Sequence, residues 1–183
     1  MSNNTKLSVN ELFRLDLLAY KKLDKEGVIL VLDNIRSAIN VGSIFRTADA
    51  FKIEKIFLCG ITAIPPNKEL LKSALGATDS VDWEYRSNTV ELVKELKEQS
   101  NVQLYCVEQV RNSISLNDFI PENSKKNVFV FGNEIDGVDQ DVINFSDGCI
   151  EIPQFGTKHS LNVAVSVGIT VWDVFSKIQS QKN

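Results

Sequence analysis

The sequence lacks the residues that several common kinds of protein require. One histidine in 183 residues makes a histidine-based metal centre or a Ser-His-Asp triad improbable, and we expect no metal. Cys59, Cys106 and Cys149 are odd in number and widely spaced, which favours buried reduced thiols over disulfides. No apolar run approaches the roughly 20 residues that span a bilayer, and the polar N-terminus has no signal-peptide core. We therefore expect a cytoplasmic protein without a membrane segment.

Basic charge is also scarce. Twenty Lys and Arg against 24 Asp and Glu give a net charge of −4. This balance argues against a large non-specific nucleic-acid footprint, although a local basic patch is compatible with it. Two nucleotide-binding patterns are missing as well. No Gly-x-Gly-x-x-Gly follows a strand-like run, and the spacing of Gly132 and Gly137 lacks the Lys and Ser/Thr of a P-loop.

What the chain does contain is an alternation of strand-like and helical patterns. Its length suits one domain. Predicted strands cover 28–32, 55–59, 81–85, 102–107, 128–131 and 149–152, and predicted helices cover 41–51, 68–74 and 88–100. This alternation of strands and helices predicts an α/β fold with a mostly parallel sheet and helices on both faces.

A helix is predicted at each end of this alternation. Ser8 and Glu11 form a capping-box pattern before an apolar stripe that stops at Gly27. The last helix, 161–178, is capped in this interpretation by Ser160 and is apolar around most of its circumference. Such a helix is buried on more than one side, by the rest of the fold or by a second subunit. We favour the second subunit, in a two-fold homodimer.

Three polar segments follow predicted strands. They are Asn40–Arg46, Phe131–Gly137 and Ile152–Asn162. In open α/β sheets, ligands bind beyond the carboxyl ends of the strands, where loops vary on a rigid sheet. Arg, Glu, Ser and Asn side chains at three such ends therefore predict a functional site.

These segments resemble the three motifs of the SpoU (TrmH) branch of the SPOUT RNA methyltransferases. The first motif, an Asn, a Gly two residues later and then Arg-Thr/Asn-Ala, stands here as Asn40-Val-Gly-Ser-Ile-Phe-Arg-Thr-Ala48. The second, Gly-x-Glu-x-x-Gly, stands as Gly132-Asn-Glu-Ile-Asp-Gly137. The third stands as Ile152-Pro153 and, after a variable stretch, Ser160-Leu-Asn-Val163. Together and in order, they are far more specific than any one alone.

The resemblance implies a homodimeric enzyme that transfers methyl from S-adenosylmethionine to a ribose 2′-hydroxyl in tRNA or rRNA. It implies a C-terminal trefoil knot, which periodicity does not predict and base rates disfavour. Residues 1–27 would be an N-terminal helical extension and 28–183 the SpoU-type methyltransferase domain. In the family, backbone groups of the knotted loops hold the cofactor. The matching positions are Gly132, Ile152, Ser160 and Leu161, with Glu108 added from the end of strand 102–107.

The resemblance also assigns catalytic roles. Arg46 matches the arginine to which the family gives deprotonation of the ribose hydroxyl. Because guanidinium groups hold their proton firmly, two roles stay open: Arg46 is the base in a desolvated site, or it clamps the RNA phosphate and stabilises the developing alkoxide. Asn40 and Asn162 would orient Arg46 and the ribose. Glu134 would place the substrate or the loop, and Ser160 would face the pocket.

Other functions and simpler structural interpretations stay open. A SPOUT base methyltransferase, a catalytically silent RNA-binding module and a flavodoxin-like small-ligand binder are the alternatives. Glu134 also fits an ordinary turn, and Ser160 and Asn162 fit a helix cap. Phe155, in the third segment, is the aromatic residue best placed to stack on a base.

Overall fold

The chain alternates between strands and helices, as the sequence predicts. The structure is a computed structural model and describes residues 4–12 and 14–182. The strands are β1 Val28–Asp33, β2 Lys55–Cys59, β3 Trp83–Arg86, β4 Val102–Val107, β5 Ile114–Ser115, β6 Lys126–Phe131 and β7 Gly148–Glu151. The helices are α1 Leu17–Lys21, α2 Ala38–Ala50, α3 Lys68–Ala74, α4 Ala77–Ser80, α5 Thr89–Lys97, α6 Gln140–Phe145 and α7 Val163–Lys182. A 3-10 helix, Val9–Leu12, precedes them.

Within the described ranges, seven strands form one sheet in the order β3-β2-β1-β6-β4-β7-β5. Every neighbouring pair is parallel. Strand β1 lies near the centre, where Leu32 pairs with Leu58 on one side and Phe131 on the other. Because all strands point the same way, the loops after β1, β4, β6 and β7 leave from one edge of the sheet.

Helices cover both faces of the sheet, which confirms the predicted fold class. Alternate residues of β1 point to opposite faces. Leu30 packs with residues of α2, α3 and α7, and Val31 packs with residues of α5 and α6. The three cysteines are free and buried, as predicted. Burial raises the pKa of Cys59 and of Cys106 to about 12, so both thiols stay protonated.

The N-terminal helix differs from the prediction. The capping box is present, since the Ser8 amide donates to Glu11 Oε2 at 2.8 Å. The helix that it opens ends at Leu12, however, and a separate helix begins after Asp16, whose side chain accepts from the Ala19 amide at 2.8 Å. Asp16 is a strong N-cap, so it starts a new helix where the apolar stripe predicts one continuous helix. Parts of this prediction, residues 1–3 and 13, lie outside the described residues.

The last helix begins at Val163, and its cap is not the predicted one. The Asn162 side chain, not that of Ser160, caps the helix by accepting from the Ala164 amide at 2.9 Å. Helices α4 and α6 are absent from the prediction because they have fewer than two helical turns, and strand β5 is absent because it has only two residues. In the part of the chain that the structure describes, no helix has the length and apolar character needed to cross a membrane.

Candidate active site

Residues from all three motifs meet at the carboxyl edge of the sheet. The Asn40 side-chain amide donates to Glu134 Oε1 at 2.8 Å, across 94 residues of sequence. The Asn162 side-chain amide donates to Asn40 Oδ1 at 3.2 Å, across 122 residues. We call these three residues the polar triad. Asn40 is its centre, since its amide group both donates and accepts.

Helix starts position two members of the triad. Ser37 caps α2. Its hydroxyl accepts from the backbone amide of Asn40 at 3.3 Å, which fixes Asn40 in the first helical turn. Asn162 uses its oxygen to cap α7 and its nitrogen to bind Asn40. The helix-cap interpretation of Asn162 and the functional interpretation are therefore compatible, because the two ends of one amide serve both.

A cavity of about 490 Å³ opens beside the triad. All five positions that the resemblance assigns to the cofactor line it: Glu108, Gly132, Ile152, Ser160 and Leu161. Glu134 lines it as well. The walls come from loops after β4, β6 and β7, so strands far apart in sequence build one space. Cavities of roughly 300–1,000 Å³ are typical of sites for small molecules and cofactors.

The loop after β6 is a tight turn that only glycine permits at its start. A Cβ atom on Gly132 would lie 2.0 Å from the Gly137 carbonyl carbon and 2.2 Å from the Val138 nitrogen. The Asn133 side chain holds the turn by accepting from the amides of Ile135 and Asp136, each at 3.0 Å. This tight turn, from Gly132 to Gly137, therefore forms one wall of the cavity.

Glu108 holds the same loop from the neighbouring strand. Its Oε2 accepts from the Val138 amide at 3.1 Å, and its Oε1 accepts from the Gln109 amide at 2.8 Å. Gln109, which the sequence analysis did not single out, donates from Nε2 to the His159 carbonyl at 2.8 Å. Glu108 and Gln109 thus connect the loops after β4, β6 and β7. Two polar residues directly after a strand are the signal that could have identified Gln109.

Asp33 is a second residue that the sequence analysis missed. Its carboxylate lies at the end of β1 with 2% exposure. It accepts from the Thr89 hydroxyl at 2.5 Å, the Asn34 amide group at 2.9 Å and the Asp139 backbone amide at 3.3 Å. These bonds fix the end of the Gly132–Gly137 turn to the centre of the sheet. An acidic residue that ends an apolar strand was the available signal.

Arg46 lies apart from this arrangement. Its side chain is exposed on α2 and lines a different cleft, together with Arg14, Lys52 and Asp49. One wall of that cleft is α1, where the Tyr20 hydroxyl donates to the Asp49 carbonyl at 2.8 Å. Burial raises the pKa of Tyr20 to about 12, so its hydroxyl keeps the proton that it donates. Within one chain, Arg46 is the predicted catalytic residue that the structure does not bring to the cavity or the triad.

Helices α2 and α7 pack side by side with parallel directions. Asn40 bonds Asn162 near their N-terminal ends, and the Phe51 and Trp172 rings pack at 5.7 Å near the other end of α2. Four large apolar side chains on these helices are exposed: Ile39, Val165, Ile169 and Trp172. We call these four residues, with Arg46, the outer face. Val167 and Val171 point into the core instead, so the fold itself buries only one side of α7.

A parallel sheet that gathers these three motifs at its carboxyl edge defines the class of SpoU-type RNA methyltransferases. The chain belongs to that family: the model of the SpoU rRNA Methylase family matches residues 27–172. The family prediction is therefore confirmed. The trefoil knot follows for this chain from its place in that fold family.

Curated relatives agree with this placement. An uncharacterized tRNA/rRNA methyltransferase of Borreliella burgdorferi is 32% identical over 162 residues, which cover 87% of this chain and 68% of the relative. The 23S rRNA (guanosine-2′-O-)-methyltransferase RlmB of Neisseria meningitidis is 29% identical over 151 residues, 82% of this chain and 59% of the relative. The match therefore leaves roughly a third or more of each relative without a counterpart.

Solved structures share the fold. The TrmH/SpoU tRNA modifying enzyme of A. aeolicus superposes with a TM-score of 0.80 at 24% identity, over 91% of this chain and 82% of that chain. The rRNA methyltransferase of Sinorhizobium meliloti, solved with bound AdoMet, gives a TM-score of 0.74 at 26% identity, over 84% of this chain and 58% of that chain.

Proposed function

We propose that this protein transfers a methyl group from S-adenosylmethionine to a ribose 2′-hydroxyl of tRNA or rRNA. The observation that carries the proposal is the polar triad of Asn40, Glu134 and Asn162 beside a backbone-lined cavity. The family relation adds the reaction class, since a relative is named a guanosine-2′-O-methyltransferase and a fold neighbour holds AdoMet.

The cavity suits S-adenosylmethionine in size and chemistry. Gly132 lets the backbone of Gly137 and Val138 approach closely, which keeps the turn in the form that lines the cavity. Ile152 and Leu161 supply apolar walls, and the carboxylate of Glu108 faces the same space. When bound, the cofactor supplies an activated methyl group on a sulfonium. The loops of this chain fix its orientation, and positioning of this kind supplies much of the rate in transfer reactions.

The polar triad would orient the acceptor ribose. Glu134 presents a carboxylate at the cavity, Asn40 binds that carboxylate, and Asn162 fixes Asn40 from the other side. Ser160 lines the cavity without capping α7, so its hydroxyl is free to contact the cofactor or the ribose. These roles follow from the family resemblance and from the two hydrogen bonds that the Asn40 side chain makes, with Glu134 and with Asn162.

The active form in this proposal is a homodimer that pairs two outer faces. An exposed strip of three aliphatic side chains and one indole is the kind of patch that marks a protein interface. In a two-fold dimer the same patch meets itself, so each Arg46 faces the partner's copy of the outer face. Burial between two chains would remove water from Arg46. A guanidinium in such a site stabilises a developing alkoxide and a nearby phosphate more strongly than one in water.

The substrate proposal rests on local charge, because the whole chain is acidic. Arg14, Arg46 and Lys52 line one cleft with a single carboxylate, Asp49, which accepts a hydrogen bond from the Ser80 hydroxyl. We place RNA phosphates along this cleft and thus give the segment 1–27 a role as an RNA-binding extension of the methyltransferase domain, 28–183. A cytoplasmic location is part of the same proposal, since tRNA and rRNA are found there.

Isotope labelling tests the reaction. The protein is incubated with methyl-deuterated S-adenosylmethionine and bulk tRNA and rRNA from cells that lack the gene, and the nucleosides are analysed by mass spectrometry. We expect the label on a ribose, which survives as a 2′-O-methyl nucleoside. A label on a base would support the base-methyltransferase alternative, and no label on any RNA would support the silent binding module.

A further inference from the structure

Phe155 is placed where a folded chain seldom leaves an aromatic ring. Its side chain is 97% exposed, the largest exposed fraction among the large hydrophobic residues that the structure describes. Residues 155–160 around it are all exposed as well. Since no described residue packs on this ring, the fold gains nothing from an aromatic residue at this position. A binding function accounts for it better than stability does.

The ring nevertheless belongs to the rim of the cavity. Gln154 immediately before it and His159 and Ser160 after it line the cavity. The loop is attached on one side to β7 and on the other at His159, whose carbonyl accepts from Gln109 Nε2 at 2.8 Å. Phe155 therefore projects from a segment that is fixed at both ends, directly beside the cavity.

The loop carries a cation, Lys158, beside a cavity that four carboxylates line: Glu108, Glu134, Asp136 and Glu151. Lys158 follows on the same exposed loop, and none of the described residues forms an ion pair with it. Arg36 lies at the rim through its contact with Asp136 at 3.5 Å, where Asp136 lines the cavity. Proteins hold single-stranded RNA by stacking bases on exposed aromatic rings while nearby cations meet the phosphates. Phe155 and Lys158 offer both groups on one exposed loop.

We propose that Phe155 is a stacking platform for an unpaired base of the RNA substrate at or next to the methylated nucleotide. This inference rests on the proposed function and adds a residue that positions the substrate. Stacking would hold the nucleotide out of its helix and bring the ribose to the polar triad. A ring that stacks on the face of a base accepts any of the four bases. Phe155 would therefore contribute to the affinity for RNA more than to selectivity for one base.

The decisive comparison is Phe155→Leu against Phe155→Trp, because leucine keeps the apolar character and tryptophan keeps the aromatic face. The substrate is bulk tRNA and rRNA from cells that lack the gene, and both RNA binding and methyl transfer are measured. We expect Phe155→Leu to raise the KM and the Kd for RNA about tenfold, in keeping with the contribution of one stacked base. Phe155→Trp should retain wild-type values, and its added indole should lose fluorescence when RNA binds.

Three controls distinguish base stacking from a contact with the cofactor and from a contact between subunits. Ile120→Ala removes a side chain that is 74% exposed elsewhere and should change nothing. The affinity of Phe155→Leu for S-adenosylmethionine should stay unchanged without RNA, and a weaker affinity would mean that the ring covers the cofactor, which overturns the inference. A change in the size of the protein in solution would mean that Phe155 lies at a subunit contact, which also overturns it.

The inference and the proposed function can fail separately. If the wild type methylates RNA and Phe155→Leu binds and methylates it equally well, the stacking role is wrong and the reaction stands. If the wild type transfers no methyl group but binds RNA through Phe155, the reaction is wrong and the stacking role stands.

Discussion

The cavity and the outer face are built in opposite ways. Around the cavity, Glu108 and Gln109 connect three loops by hydrogen bonds. Asn133 holds the turn after β6 from within, and Asp33 connects the end of that turn to the sheet. On the outer face, Trp172 is 59% exposed, and the Arg46 side chain makes no hydrogen bond or ion pair within the described ranges. The cavity is thus formed by hydrogen-bonded loops of one chain, whereas the outer face exposes large apolar side chains beside an arginine. In the proposed function, a second chain and RNA cover the outer face.

The largest effect should come from two adjacent residues of α7, Val171 in the core and Trp172 on the outer face. Val171→Asp places an unpaired charge in the core and should lower the free energy of unfolding by about 4 kcal/mol. Trp172→Asp places the same charge on the outer face, so it should separate the dimer into monomers and leave the monomer folded. Thermal melting and light scattering distinguish the two results. An unchanged mass for Trp172→Asp would remove the outer face as the dimer interface.

Arg46→Ala should lower kcat about 100-fold or more, as the loss of a group that stabilises transition-state charge does. Its affinity for S-adenosylmethionine should not change, because Arg46 does not line the cavity. Methyl-transfer kinetics and calorimetry measure the two quantities, and Lys68→Ala, on an exposed part of α3, is the control cation. Loss of cofactor affinity in Arg46→Ala would mean that the division between the two regions is wrong.

Gly132→Ala, unlike Arg46→Ala, should weaken the binding of S-adenosylmethionine. Its Cβ atom would collide with the backbone of Gly137 and Val138, so the turn must move and the cavity must change shape. We expect the affinity for S-adenosylmethionine to fall more than about tenfold, since a misplaced backbone loses several hydrogen bonds to the ligand. Gly156→Ala is the matched control, because its Cβ atom meets no atom within 4 Å. Equal affinities for the two variants would show that this turn does not hold the cofactor.

The smallest effect should come from the hydrogen bond between Asn40 of α2 and Glu134, which lines the cavity. Asn40→Ala and Glu134→Ala each remove one end of the 2.8 Å hydrogen bond. In a double-mutant cycle on kcat/KM, residues in direct contact couple by about 1 kcal/mol. We therefore expect the double variant to lose less than the sum of the single losses. Strict additivity would indicate that the two side chains act independently in the reaction.

Much of the fold could be predicted because the central strands are apolar runs separated by polar or helical segments. The runs that became β1, β2, β4 and β6 were predicted to within a residue or two of their ends, and α3 was predicted at its observed bounds. The N-terminal helix was wrong because Asp16 starts a new helix inside the apolar stripe. Helices α4 and α6 were missed because four and six residues make fewer than two helical turns, and β5 was missed because it has two residues.

For the site, the three motifs that follow predicted strands indicated which loops meet. They did not indicate which side chains bind one another. The bond from Asn162 to Asn40 spans 122 residues, and no local pattern encodes it. The cap of α7 was assigned to Ser160 because Ser and Asn are both good caps, and only the path of the loop decides between them. The separation of Arg46 from the cavity depends on which face of α2 it occupies relative to α7, which the packing of the whole domain determines.

Calorimetric titration of the wild-type protein with S-adenosylmethionine tests most directly whether the three distant loops form one cofactor site. We predict saturable binding with one molecule per chain, greatly weakened in Gly132→Ala and unchanged in Arg46→Ala. Absence of binding to the well-folded wild type would contradict the account.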